Sequence, residues 1–314
     1  MKRAFFCLIS VFLLCASTPC YAFWIWTPKT GKFVNPKTVA KANPQEQLDV
    51  AIKLFNENDL EESSREFKKV LTAFPKAIEA AEAQYYLGRI NEAQRKPYEA
   101  FQAYQKVVDK YPFSERIGEI VQRQFDIGEL FMSGEKRKAM GVDLPVEHPS
   151  VEIFGKVTDN SPYGTLAAKA QYKLGLVLKS QQRFEEAQDA FYRVVKNYPD
   201  SEWVEPAQYQ LAESRAALSR GPDYDQAATQ EAKERFEKYL QEHPDAVLSE
   251  EAEKNIEQLR MKEAESAFNT ARFYEKQKAY DSARLYYDGI INDYPGSLWA
   301  SRAMERLNIM EKKK

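Results

Sequence analysis

The chain has 314 residues, 44% of them hydrophobic, with 45 Lys and Arg against 47 Asp and Glu for a formal net charge of −2. Charges of both signs alternate along it without a basic stripe, which argues against nucleic acid as a partner. Its three cysteines, Cys7, Cys15 and Cys20, all stand near the N-terminus, which excludes a disulfide framework, a thiolate metal site or a cysteine nucleophile from the rest of the chain.

Residues 1–22 read as a secretory signal peptide: Lys2-Arg3 precede an apolar run over 4–16, and Cys20-Tyr21-Ala22 offers a small-x-small cleavage site. The run is too short to cross about 30 Å of hydrocarbon. Cleavage after Ala22 removes Lys2 and Arg3, leaving 43 basic against 47 acidic residues, a net of −4. Residues 23–43 form an aromatic, Pro-rich arm in which Pro28, Gly31 and Pro36 oppose helix. Its run Phe23-Trp24-Ile25-Trp26 is too apolar to stand in water without cover. Two covers are open to it: the first repeat, over which it would strap, or a partner protein or lipid interface.

From Gln45 onwards the pattern is helical. Six prolines, Pro75, Pro112, Pro162, Pro199, Pro244 and Pro295, each follow an apolar stretch at intervals of 37, 50, 37, 45 and 51 residues. A recurrence of this length marks a helical repeat array. The clearest copy is 81–114, with Leu87-Gly88 in its first helix, Ala100 and Tyr104 in its second and Pro112 at its end. It resembles the 34-residue tetratricopeptide repeat. The frame also fits 44–77, 168–201 and 264–297, and fits 121–164 and 205–246 if each takes an insertion between its helices. Residues 250–262 give an additional helical stretch, 299–310 a closing helix, and 311–314 a basic tail. The expected fold is therefore all-α, a right-handed α-solenoid of about six tetratricopeptide-like helix pairs.

Two slots in each copy hold small residues: Ala51, Gly88, Gly128, Gly175, Ala212 and Ala271 in the first helices, and Ser63, Ala100, Ser150, Ala187, Ala232 and Ala283 in the second. Helices cross there, and a larger side chain would hold them apart.

Catalytic constellations are nearly absent. The two histidines, His148 and His243, do not stand at metal-ligand spacing, and His243 takes a slot that other copies fill with Tyr or Phe. There is no GxSxG and no phosphate-cradling glycine loop. The expectation is a protein without enzymatic activity, cofactor or metal. What remains is recognition by the concave face that such arrays present. The inward positions of the early first helices include Phe55, Tyr85, Arg89, Glu92 and Phe125, a mixture of aromatics and charges suited to an extended peptide or helix.

AQYYLG (83–88), AFQAYQKVVDKYPFS (100–114), AQYKLG (170–175), NYPDSEWVEPAQYQLA (197–212) and YEKQKAYDSARLYYDGIINDYP (274–295) together resemble the BamD family (YfiO/ComL-like) of outer-membrane assembly proteins. The resemblance covers about 44–310. It implies an exported scaffold at the periplasmic face of the outer membrane, in the machinery that folds β-barrel proteins there. Its C-terminal repeats would bind a BamA-like subunit, beside other assembly-machine subunits, and its N-terminal repeats would receive unfolded outer-membrane protein clients. One departure concerns acylation: neither Cys15, after Phe12-Leu13-Leu14, nor Cys20, after Ser17-Thr18-Pro19, sits in a good lipobox. An alternative is a periplasmic tetratricopeptide adaptor for envelope constriction or peptidoglycan synthesis. Such adaptors usually carry an N-terminal coiled coil, which 23–43 cannot form.

Overall fold

The computed structural model describes residues 24–27, 31–34, 39–134, 138–139, 142–143, 148–219, 221–222, 224 and 226–312. The expected signal peptide, with Cys15 and Cys20, lies outside them. The chain divides into two compact units, residues 1–90 and 91–314.

The first unit opens with a β-hairpin, β1 (Ile25–Thr27) against β2 (Lys32–Val34), in antiparallel register with Trp26 opposite Phe33. Helices α1 (Pro44–Asn56) and α2 (Leu60–Ala73) follow, then α3 (Ile78–Ala93) as far as Ile90. Asn43 caps α1 by accepting from the Gln45 N–H, and Asp59 caps α2 by accepting from the Glu62 N–H. The core of this unit is Leu48, Ala51, Phe67, Val70, Ala83 and Ile90.

The second unit runs through α4 (Pro97–Lys110), α5 (Ile117–Met132), α6 (Pro149–Asn160), α7 (Ala167–Ser180), α8 (Phe184–Asn197), α9 (Val204–Ala217), α10 (Ala227–Glu242), α11 (Ser249–Lys276), α12 (Tyr280–Asp293) and α13 (Leu298–Glu311). Each helix from α4 packs on the next, the nearest-neighbour stacking of a solenoid. Between α5 and α6, β3 (Lys138–Ala139) and β4 (Val142–Asp143) make a short antiparallel pair within the expected insertion.

Residues 250–262 are helical, as expected. They continue without a break into the first helix of the last repeat, making α11 28 residues long. No Gly or Pro interrupts 249–276, and both halves have a core to join. Ala252 and Leu259 pack with Tyr209 and Phe236, while Phe268 and Ala271 pack with Tyr287.

The periodic prolines act through the residue before them. Phe74, Tyr111, Ser161, Tyr198, His243 and Tyr294 cap their helices with φ between −147° and −127° and ψ between 52° and 69°. Proline drives its predecessor out of the α region, so the helix stops there. Each capping carbonyl then accepts from the N–H three residues on, as Tyr198 does from Ser201 at 3.0 Å, closing a β-turn with proline in its second position.

The turn inside four helix pairs is equally regular. Asn58, Arg95, Gln182 and Lys278 adopt φ of 57° to 62°. The next N–H in each reaches back five residues, as from Arg183 to the Leu178 carbonyl at 3.0 Å. This is the Schellman arrangement, built here on residues other than glycine.

The small slots lie where the aromatic rings of the second helices land. A Cβ on Gly128 would come 2.8 Å from the Phe154 ring, and one on Gly175 would come 2.5 Å from the Phe191 ring. The ring slot itself (Phe67, Tyr104, Phe154, Phe191, Phe236, Tyr287) is fully buried in all six copies.

Candidate protein-binding surfaces

In the first unit, Phe55 stands in the last turn of α1, and Tyr85 and Arg89 stand one turn apart on α3. The Arg89 guanidinium lies 6.0 Å from the centroids of both rings and donates to the Tyr85 hydroxyl at 3.1 Å. Phe55 meets Tyr86 edge to face, and Tyr86 stacks on Phe67. Tyr85 is 1% exposed, so a ligand would meet Arg89 and Phe55 while Tyr85 holds the cation in place.

In the second unit, Glu92 accepts from Arg123 Nη1 at 2.9 Å, and the same guanidinium donates to Glu119. Beside this pair is a recess of about 590 Å³ lined by Glu92, Arg95, Pro97, Arg123, Asp126, Ile127 and Leu130. Charges of both signs line it together with the apolar Pro97, Ile127 and Leu130, which suits a peptide that offers backbone dipoles and apolar side chains together. Arg123, Asp126 and Leu130 went unnoticed in the sequence. Their spacing on α5 could have shown that they share one face, but not that the face borders Glu92.

Phe125 does not line this recess. It is 1% exposed, packs on Phe154 at 5.6 Å and is covered by Lys169 Nζ at 4.9 Å. The first helices of successive repeats are instead joined by ion pairs. Arg123–Glu92 is followed by Lys173–Glu129 at 3.1 Å and by Lys179–Glu213. Charges expected to face a ligand thus also fix one repeat to the next.

A second surface lies on the last repeat. Tyr274 stacks on Tyr286 at 5.5 Å and meets Phe273 edge to face. Phe273, Leu285 and Tyr286 are exposed, Leu285 to 73%. Beneath, Glu275 joins three helices by accepting from the Tyr287 hydroxyl at 2.9 Å and from Arg306. Burial, then the Glu275 carboxylate, pushes the Tyr287 phenol up to about 12.

His243 belongs to the frame. It caps α10, lies against Tyr239 and hydrogen-bonds Gln208 through Nε2. Among the described residues no three His, Cys, Asp or Glu gather as a metal site, and no helix is long and apolar enough to cross a membrane.

Tetratricopeptide proteins of known structure are similar to the chain at low identity. The C-terminal part of a TPR repeat-containing protein from Cytophaga hutchinsonii is 16% identical with a TM-score of 0.35, over 83% of this chain and 87% of that one. MamA is 21% identical with a TM-score of 0.33, over 64% and 92%. A thermophilic TPR protein from Thermus thermophilus is 16% identical with a TM-score of 0.31, over 68% and 99%. No curated protein matches. A tetratricopeptide-repeat family model matches residues 48–115, and such repeats are protein-interaction modules. The YfiO family model, described as outer membrane lipoprotein, matches residues 149–314. That span takes in the last-repeat surface and the helices from α6 to α13, and by it the chain belongs to the YfiO family of outer membrane lipoproteins.

Proposed function

We propose that this protein is a scaffold of the machinery that folds β-barrel proteins into the outer membrane, working at its periplasmic face. It docks a BamA-like subunit on its last repeat and receives unfolded barrel clients at the recess beside Glu92 and at Arg89 and Phe55. The observation that carries the reading is the ring cluster of Phe273, Tyr274 and Tyr286, with Phe273, Tyr286 and the adjoining Leu285 exposed, which falls inside the segment matching the family. Exposed aromatic clusters of this type anchor protein interfaces.

The test is a pull-down of the BamA-like periplasmic region and of barrel-derived peptides from the same preparations. Leu285→Asp with Tyr286→Asp should lose the subunit and keep the peptides. Leu130→Glu, which puts a charge among the apolar residues lining the recess, should do the reverse. Undiminished capture of the subunit by the double aspartate variant would remove the docking assignment.

A further inference from the structure

The N-terminal hairpin carries large apolar side chains outside any core. Trp24, Ile25, Trp26 and Phe33 are exposed to 59%, 48%, 51% and 63%. Trp26 and Phe33 face each other across the strands with ring centroids 5.1 Å apart. Ile25 falls on the opposite face by the two-residue period of a strand, and Trp24 immediately precedes β1. Two strands alone are marginal in water. A hairpin with aromatics on view therefore gains most of its stability from a second apolar phase.

The charge around it indicates which phase. Between residues 23 and 45 stand Lys29, Lys32, Lys37 and Lys41 and no acidic residue, the first being Glu46. The whole chain is slightly acidic, so this cationic arm is a local departure from it. A protein groove would call for a mixed rim. Tryptophans with uniformly positive flanks match the boundary between phosphate headgroups and acyl chains, where amphipathic rings settle and lysines meet phosphate.

We propose that the hairpin seats on a phospholipid bilayer carrying anionic headgroups, with Trp24, Trp26 and Phe33 at the headgroup–acyl boundary and the net positive charge of the segment favouring the anionic surface. The seat orients the repeats against the membrane whatever other attachment the chain has, and it does not depend on the assembly role.

The experiment mixes the full chain with vesicles of phosphatidylglycerol and phosphatidylcholine whose acyl chains carry bromine, which quenches tryptophan on contact. Trp203 and Trp299 pack on Tyr172 and Phe268 within the repeats, so quenching reads Trp24 and Trp26. Emission of the parent should fall, and the fall should vanish in Trp24→Phe with Trp26→Phe. Lys29→Gln, Lys32→Gln and Lys37→Gln together should reduce it to the level on phosphatidylcholine alone. An unquenched parent that still sediments with the vesicles overturns the proposal, as does quenching that survives in the double Phe variant. A dimer that dissociates in Trp24→Ala with Trp26→Ala would give the hairpin to a second copy of the chain, and overturns it equally.

Discussion

Replacing Gly175 by alanine separates packing from propensity, because the two act in opposite directions. Gly175 lies inside α7, where alanine should add about 1 kcal/mol of helix stability. Its new Cβ, however, would sit 2.5 Å from Phe191 Cε1, 2.7 Å from Cδ1 and 2.8 Å from Cζ. Ordinary contact begins at 3.4 Å, so ring or helix must move by about 0.9 Å. Phe191 is fully buried and backed by Tyr172, itself against Trp203, so the motion spreads into a close-packed cluster at a cost of about 1–3 kcal/mol. Gly155→Ala in α6 and Gly289→Ala in α12 are the controls, since nothing lies within 4 Å of a Cβ at either. Urea unfolding followed by far-ultraviolet circular dichroism should place both controls above the parent. Gly175→Ala should fall below the controls by the packing cost of about 1–3 kcal/mol. Gly128→Ala, facing Phe154 at 2.8 Å, should behave like Gly175→Ala. If Gly175→Ala is as stabilising as Gly155→Ala, the ring does not define the small slot and the reasoning fails.

Further outcomes follow from the joints and the buried phenols. Gln182→Gly and Lys278→Gly, at exposed positions with φ of 60°, should stabilise by about 0.5–1 kcal/mol, because glycine alone holds that conformation without strain; a loss in the urea midpoint would contradict it. Glu275→Ala strips an acceptor from Tyr287 and Arg306 and should cost about 2–4 kcal/mol, to be checked by thermal unfolding beside Glu275→Gln, which should cost less. Tyr209, Tyr287 and Tyr294 have phenol pKa values raised by burial from 10.0 to about 12, and Tyr239 is raised in the same direction. Their neutral forms favour the folded state, so this contribution is whole below pH 10 and is lost as pH climbs from 10 to about 12. Urea midpoints that stay level across that window would rule out these tyrosines as the source.

The joints and the repeat are legible in the amino-acid order alone. A proline acts on the residue before it, and a helix face follows from a period of 3.6 residues, so both are written locally. Six cap residues in one conformation and twelve buried small residues are the result. Which inward side chains meet solvent follows from how the helices pack. Tyr85 and Phe125 share the periodicity of Phe55 and Arg89, yet both are covered, Phe125 by a lysine two helices away. Glu92 acquires Arg123, and the stretch from 250 fuses with the last repeat because Ala252 and Leu259 find a core in α9 and α10. Such outcomes depend on which neighbour a helix face meets after stacking, and that contact is long-range in sequence. The period of the chain fixes the face that turns inward, and the adjoining repeat fixes what that face leaves open.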